Sequence, residues 1–192
     1  MADEMPTIVR RADLGEIGLT KYRLYEMVRS GEYEQIAPGI YARSGVLDDT
    51  TAGLASIAGR KPTATLCLLS ALSLYDLTDE IPRASDVALI RGERAVTTNY
   101  LQVRWHYFDP ATFEVGRRRH QLVENITIGV YSAERTIVDV FRLRHELGAD
   151  IANEALKRWL GRRSGKPADL LNVAKAFPKA APALRAALEV LL

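Results

Sequence analysis

The sequence predicts an α+β chain: a small N-terminal module, then a larger mixed domain with a short, mostly antiparallel sheet and a C-terminal helical bundle. Three observations predict it. An apolar run, Ala64 to Leu77, lies between Pro62 and Pro82. Between Asp86 and Tyr131, short stretches favour β-structure and are separated by polar turns. Beyond Ser132, apolar residues recur at helical spacing almost to the end of the chain.

The elements follow in order. Ile8 to Gly18 is expected to be a short helix with Ile8, Leu14 and Ile17 as its apolar positions, ended by Gly18. Thr20 is expected to cap a second helix, Lys21 to Ser30, whose apolar face is Leu24, Met27 and Val28, with Tyr25 beside it. Gly31 stops it. Tyr33 to Ile36 and Ile40 to Arg43 flank Ala37-Pro38-Gly39, a hairpin signal. Helix, short turn, helix, hairpin is the order of a winged helix-turn-helix, in which the second helix enters the major groove of DNA. The residues expected to face DNA are Thr20, Lys21, Tyr22, Arg23, Arg29 and Arg43. A small structural cap with merely solvated basic residues fits the same spacing.

Ser44 to Asp49 marks the expected boundary, giving a DNA-binding domain over 1–48 and a second domain over 49–192. Thr50 to Gly59 is expected to be a short helix. The run Ala64 to Leu77 is apolar nearly all round and has no face for water, so it is expected to be the central helix of the larger domain. Asp86 to Ile90, Leu101 to Tyr107, Arg117 to Val123 and Ile126 to Tyr131 are expected strands. In the second of these, Leu101, Val103, Trp105 and Tyr107 alternate with Gln102, Arg104 and His106. Ser132 caps the next helix, with Ile137, Val140, Phe141 and Leu147 as core positions and Gly148 as its stop. The helix after it buries Ile151, Ala152, Ala155, Leu156, Trp159 and Leu160. Ser164-Gly165-Lys166 is a turn, and Pro167 and Pro182 each open a closing helix, the last running to Leu192.

Composition narrows the function classes. Of the 192 residues, 47% are apolar and 26% charged, ordinary values for a globular chain with a real core. Cys67 is the only cysteine, which excludes an intramolecular disulfide and suits a reducing compartment. No apolar run reaches the roughly 18–20 residues of a membrane span, and the acidic start of the chain has no apolar signal core, so a cytoplasmic location is expected. The net charge is +2, with six basic and eight acidic residues in 1–48. DNA contact there has to rest on local placement of cations. From Ala155 onward eight Lys or Arg face two acids.

Chemistry-bearing patterns are sparse. His106, His120 and His145 lack ligand spacing, and Cys67 has no neighbouring partner, so neither a metal site nor a cofactor is expected. No catalytic residue stands out. Glu154 and Lys157 lie three apart on a polar helix face and are expected to be a surface ion pair. Arg135 and Arg142 can both reach Asp139, with Thr136 nearby, a structural charge cluster costly to break. Arg117, Arg118 and Arg119 are the densest positive charge, suited to protecting an edge strand or meeting a partner. With Lys157, Arg158, Arg162 and Arg163 they form the expected partner-facing set.

Three stretches together resemble the AbiEi family, antitoxin-repressors of type IV toxin–antitoxin systems. The first is Leu19-Thr20-Lys21-Tyr22-Arg23-Leu24-Tyr25 with Val28-Arg29-Ser30-Gly31 and Ala37-Pro38-Gly39-Ile40-Tyr41. The second is Leu66-Cys67-Leu68-Leu69-Ser70-Ala71-Leu72 with Leu77-Thr78 and Ile81-Pro82. The third is Tyr131 to Asp139, running on through Arg142, Arg144, Gly148 and Glu154-Ala155-Leu156. The resemblance implies a non-enzymatic repressor that binds inverted repeats in promoter DNA, and an antitoxin domain that counteracts a nucleotidyltransferase-like toxin. A stand-alone winged-helix transcriptional regulator and, further off, a metal-dependent nuclease are the competing expectations.

Overall fold

The computed structural model describes residues 5–163 and 165–191. Ser164 of the expected turn and Leu192 lie outside them. The chain divides into two compact units: Met1–Ala64 with Arg94–Gln102 and Arg119–Ile128, and Thr65–Glu93 with Val103–Arg118 and Gly129–Leu192.

The first unit opens with a strand where a helix was expected. Ile8–Arg10 forms β1, and a single 3-10 turn over Arg11–Asp13 follows. The β-branched pair Ile8-Val9 favours an extended chain, and Gly15 and Gly18 weaken any helix beyond it. Helix α1 spans Lys21–Arg29, and Tyr33–Ala37 (β2) and Ile40–Arg43 (β3) form the hairpin. The sheet order is β1-β3-β2, all antiparallel, with Val9 opposite Tyr41 and Gln35 opposite Tyr41 on the other side. Gly39 takes φ +76° in the hairpin turn, a left-handed conformation that glycine adopts freely. Val9, Leu14, Leu24, Met27, Tyr33 and Tyr41 form the core. Strand, turn, helix, hairpin therefore replaces helix, turn, helix, hairpin. Helix α2, Asp49–Ala58, is capped by Asp48, whose carboxylate accepts from the Thr51 N–H and hydroxyl, each at 2.8 Å.

The second unit corrects the central-helix expectation. The run from Ala64 does not form one rod. Thr65–Leu66 is a two-residue strand, β4, and only Leu68–Leu74 is helical (α3). A run apolar on all sides suits a strand covered on both faces as well as it suits a buried helix, and here the strand takes the first part. The other strands of its sheet are Ser85–Ile90 (β5), Val103–Phe108 (β6), Arg117–Val123 (β7) and Ile126–Tyr131 (β8), in the order β6-β5-β4-β8-β7, although Arg119–Ile128 is counted in the first unit. β4 runs antiparallel to β5 but parallel to β8, and β5 runs parallel to β6. The sheet is thus mixed, with more parallel pairing than the mostly antiparallel one expected. Alternation within a strand carries no information about the direction of its neighbour.

A short helix α4, Pro110–Phe113, precedes β7. The helical part comprises α5 (Ala133–Arg142), α6 (Arg144–Leu147), α7 (Ala149–Leu160), α8 (Pro167–Ala174) and α9 (Ala181–Leu191). The central helix is α5, packed against α3, α7, α8 and α9. Seven consecutive residues of it, Arg135 to Phe141, are buried. No helix among the described residues is long and apolar enough to cross a membrane.

Candidate nucleic-acid interface

Helix α1 is built to present one face and bury the other. Leu24 and Met27 enter the core, which fixes the helix against the sheet. The Arg23 N–H donates to Thr20 Oγ1 at 3.1 Å, so Thr20 serves as the N-cap. Lys21, Tyr22 and Arg23 then stand exposed in the first turn, and Tyr22 keeps 75% of its surface in solvent. A large aromatic ring between two exposed cations, held on a rigid helix, is suited to meeting base edges and phosphates.

The other expected DNA residues are placed differently. Arg29 is exposed at the far end of α1 and pairs with Glu26 at 2.9 Å. Arg43 is half-buried on β3, where its Nη2 donates to the Met5 carbonyl at 2.9 Å and its Nε is buried with no hydrogen-bond partner among the described residues. The structure thus groups Thr20, Lys21, Tyr22 and Arg23 on one helix start and ties Arg43 to the N-terminal segment. On the same sheet, burial and the neighbouring Tyr25 hydroxyl raise the pKa of Tyr41.

Residues 6–44 match a family model described as "Transcriptional regulator, AbiEi antitoxin". The N-terminal module is thus AbiEi-like and related to the winged helix-turn-helix, with β1 and the 3-10 turn standing where the first helix was expected. No curated protein matches the chain. Among solved structures, the RV2827C protein from Mycobacterium tuberculosis is similar at a TM-score of 0.52 and 18% identity, covering 97% of this chain and 77% of that one. At that identity the likeness is one of fold.

The expected partner-facing residues separate into two groups. Arg118, Arg119, Lys157, Arg162 and Arg163 are exposed. Arg162 also donates to the carbonyls of Tyr75 and Asp76. Arg117 is half-buried, donating from Nε to Thr65 Oγ1 at 2.7 Å. Arg158 binds Glu154 at 2.7 Å and both oxygens of Asp79, and its guanidinium holds the Asp79 carboxyl below the usual value. Glu154 therefore pairs with Arg158, one residue beyond the expected Lys157, because four residues bring a side chain back over its own helix face.

The expected Arg135–Asp139–Arg142 cluster is present. Arg135 Nε donates to Asp139 Oδ2 at 2.8 Å, and Arg142 Nη2 donates to Oδ1 at 3.0 Å. Two features escaped the sequence. Asp86, fully buried on β5, accepts from His106 Nε2 at 2.8 Å. Arg60, after α2, donates to the Ser56 carbonyl and hydroxyl and to the Thr97 carbonyl, joining segments that are far apart in sequence. Among the described residues, no group of three or more His, Cys, Asp or Glu side chains is arranged to hold a metal ion. Burial first, then the charges of Asp86 and Asp139, push the Cys67 thiol well above its ordinary pKa, which disfavours the reactive thiolate.

Proposed function

We propose that this protein is a non-enzymatic antitoxin and repressor of its own operon. Residues 1–48 would bind inverted repeats in promoter DNA, and residues 49–192 would oppose a nucleotidyltransferase-like toxin in the cytoplasm. The observation that carries the DNA half is the exposed start of α1, with Lys21, Tyr22 and Arg23 clear of the core beneath them. The family description matched over residues 6–44 names both regulation and antitoxin activity, and supports joining the two. In the second unit the cations Arg118, Lys157, Arg162 and Arg163 are exposed, as is Arg119 in the first, and each is open to an acidic partner.

Two experiments test this reading. Titration of the promoter region with the wild type should give an affinity that falls as salt rises, since each phosphate contact releases counterions. The Lys21→Ala/Arg23→Ala variant should bind markedly more weakly, and unchanged binding would remove the recognition-helix assignment. Co-expression with the product of the neighbouring gene tests the antitoxin half. Failure to restore growth would end it.

A further inference from the structure

A polar cavity of about 460 Å³ lies within the first unit, beside the hairpin turn. One wall is Gln35 to Pro38, and the other is Thr97 to Tyr100, with Arg60 between them. None of its lining residues is acidic. Glu34 and Asp49 act electrostatically on the Tyr100 hydroxyl, whose pKa is raised first by burial, but neither lines the cavity.

Arg60 is the unusual member. Its guanidinium is partly desolvated, and that burial lowers its pKa. Its partners are all neutral: the Ser56 carbonyl at 2.9 Å, the Ser56 hydroxyl at 2.9 Å and the Thr97 carbonyl at 2.6 Å. These bonds use Nε and Nη2 and hold the planar group in one orientation. No carboxylate among the described residues forms an ion pair with it. Held by neutral partners and still open to the cavity, the guanidinium keeps its charge available, and a fixed guanidinium matches phosphate geometry. The amides of Gln35 and Asn99 and the hydroxyls of Thr97 and Thr98 supply further donors of the kind that contact phosphate oxygens.

We propose that this cavity, with Arg60 as its fixed cation and Asn99 and Gln35 as flanking donors, binds a phosphate group, supplied by the DNA backbone beside the hairpin. The DNA source rests on the reading that residues 1–48, which share a compact unit with Arg60 and Thr97–Tyr100, bind DNA. The phosphate chemistry does not. Both Arg60 and the Thr97–Tyr100 segment lie outside the residues 6–44 matched by the family model.

The test uses the full chain and a mixed-sequence duplex, since a phosphate contact ignores sequence. Arg60→Gln should make the slope of log affinity against log salt shallower by about 0.9, the contribution of one neutralised phosphate. Asn99→Asp places a carboxylate in the cavity without touching the ties of Arg60 to Ser56 and Thr97. It should weaken binding several-fold with no shift in the unfolding midpoint. Duplex binding by both variants equal to the wild type overturns the proposal. If the wild type does not bind the duplex at all, the DNA reading fails on its own, and inorganic phosphate decides the cavity. Saturable amide shifts at Thr97 to Tyr100, lost in Asn99→Asp, then keep it as a site for free phosphate, and no shifts overturn it.

Discussion

His106 Nε2 lies 2.8 Å from Oδ1 of Asp86, a carboxylate with no exposed surface. The parallel register of β5 and β6 sets this up, pairing Asp86 with Arg104 and Ala88 with His106. A carboxylate only accepts, so Nε2 carries the proton. Arg104 Nη1 stands 3.5 Å from the same oxygen, and the backbone N–H of Asp86 donates to Ser70 Oγ at 2.8 Å. The other oxygen, Oδ2, is buried and makes no hydrogen bond among the described residues, so the burial of this charge depends on His106 and Arg104.

Replacing His106 by Leu should therefore destabilise the protein by about 3 kcal/mol, the low end for removing one partner of a buried pair, since Arg104 remains. His106→Gln keeps a donor and should recover much of that loss. Urea unfolding of both variants checks this. Equal stability of the two, close to the wild type, would show that the histidine bond does not hold Asp86.

Arg135 has no exposed surface and lies against the rings of Tyr131 and Phe177, at 4.3 and 4.1 Å from their centroids. Its Nη1 donates to the carbonyls of Thr112 and Val115, both at 2.7 Å. A lysine keeps the charge but loses the planar fork and the ring contacts. Arg135→Lys should cost about 1–3 kcal/mol, as for buried acceptors left without their donor. A denaturant midpoint within error of the wild type would mean that charge alone suffices.

The cap of α2 gives a pH signature. Bonds from the Thr51 N–H and then its hydroxyl lower the pKa of Asp48 below 3.8. A depressed folded-state value means that the stabilisation is present above the unfolded value and is lost as pH falls through the folded one. Asp48→Ala should cost about 1 kcal/mol at neutral pH, typical of a lost cap. The difference from the wild type should shrink below pH about 4. A difference that stays constant down to pH about 2 would contradict a charged cap.

Much of the fold is legible because its cause is local. Thr20 and Ser132 stand at the starts of helices whose N–H groups they accept, and the helical stripe of Ala152, Ala155, Leu156 and Trp159 is buried. The central element was hidden for the opposite reason. Helix α5 carries Arg135, Asp139 and Arg142, which suggest a wet face, and only the tertiary partners of those charges make their burial tolerable. Likewise the polar face of β6 continues through His106 into buried Phe108, which packs on Tyr131. The cavity at Arg60 joins segments 37 residues apart and leaves no periodic trace.

Cys67 provides a probe of the core. The thiol is fully buried at the start of α3, and its pKa is raised well above normal. It should resist thiol-specific reagents in the native protein at neutral pH and react rapidly once urea unfolds the chain. Labelling of the native protein as fast as of the unfolded one would show that the α3 region opens readily.

The cations of the N-terminal module should divide by role. Arg43 spends its guanidinium on the Met5 carbonyl and keeps Nε buried, so Arg43→Ala removes a tie within the folded unit. Loss of one such bond should lower unfolding stability by about 1–2 kcal/mol and leave DNA affinity unchanged. Lys21 and Arg23 face solvent and cap no core, so their replacement by Ala should leave stability within about 0.5 kcal/mol while weakening DNA binding. Arg29 has to release Glu26 before it meets a phosphate, so Arg29→Ala should weaken binding less than Arg23→Ala. Denaturation and DNA titration on the same four preparations separate the roles. A folded Arg43→Ala protein that binds DNA as poorly as Arg23→Ala would place Arg43 at the interface and refute the division.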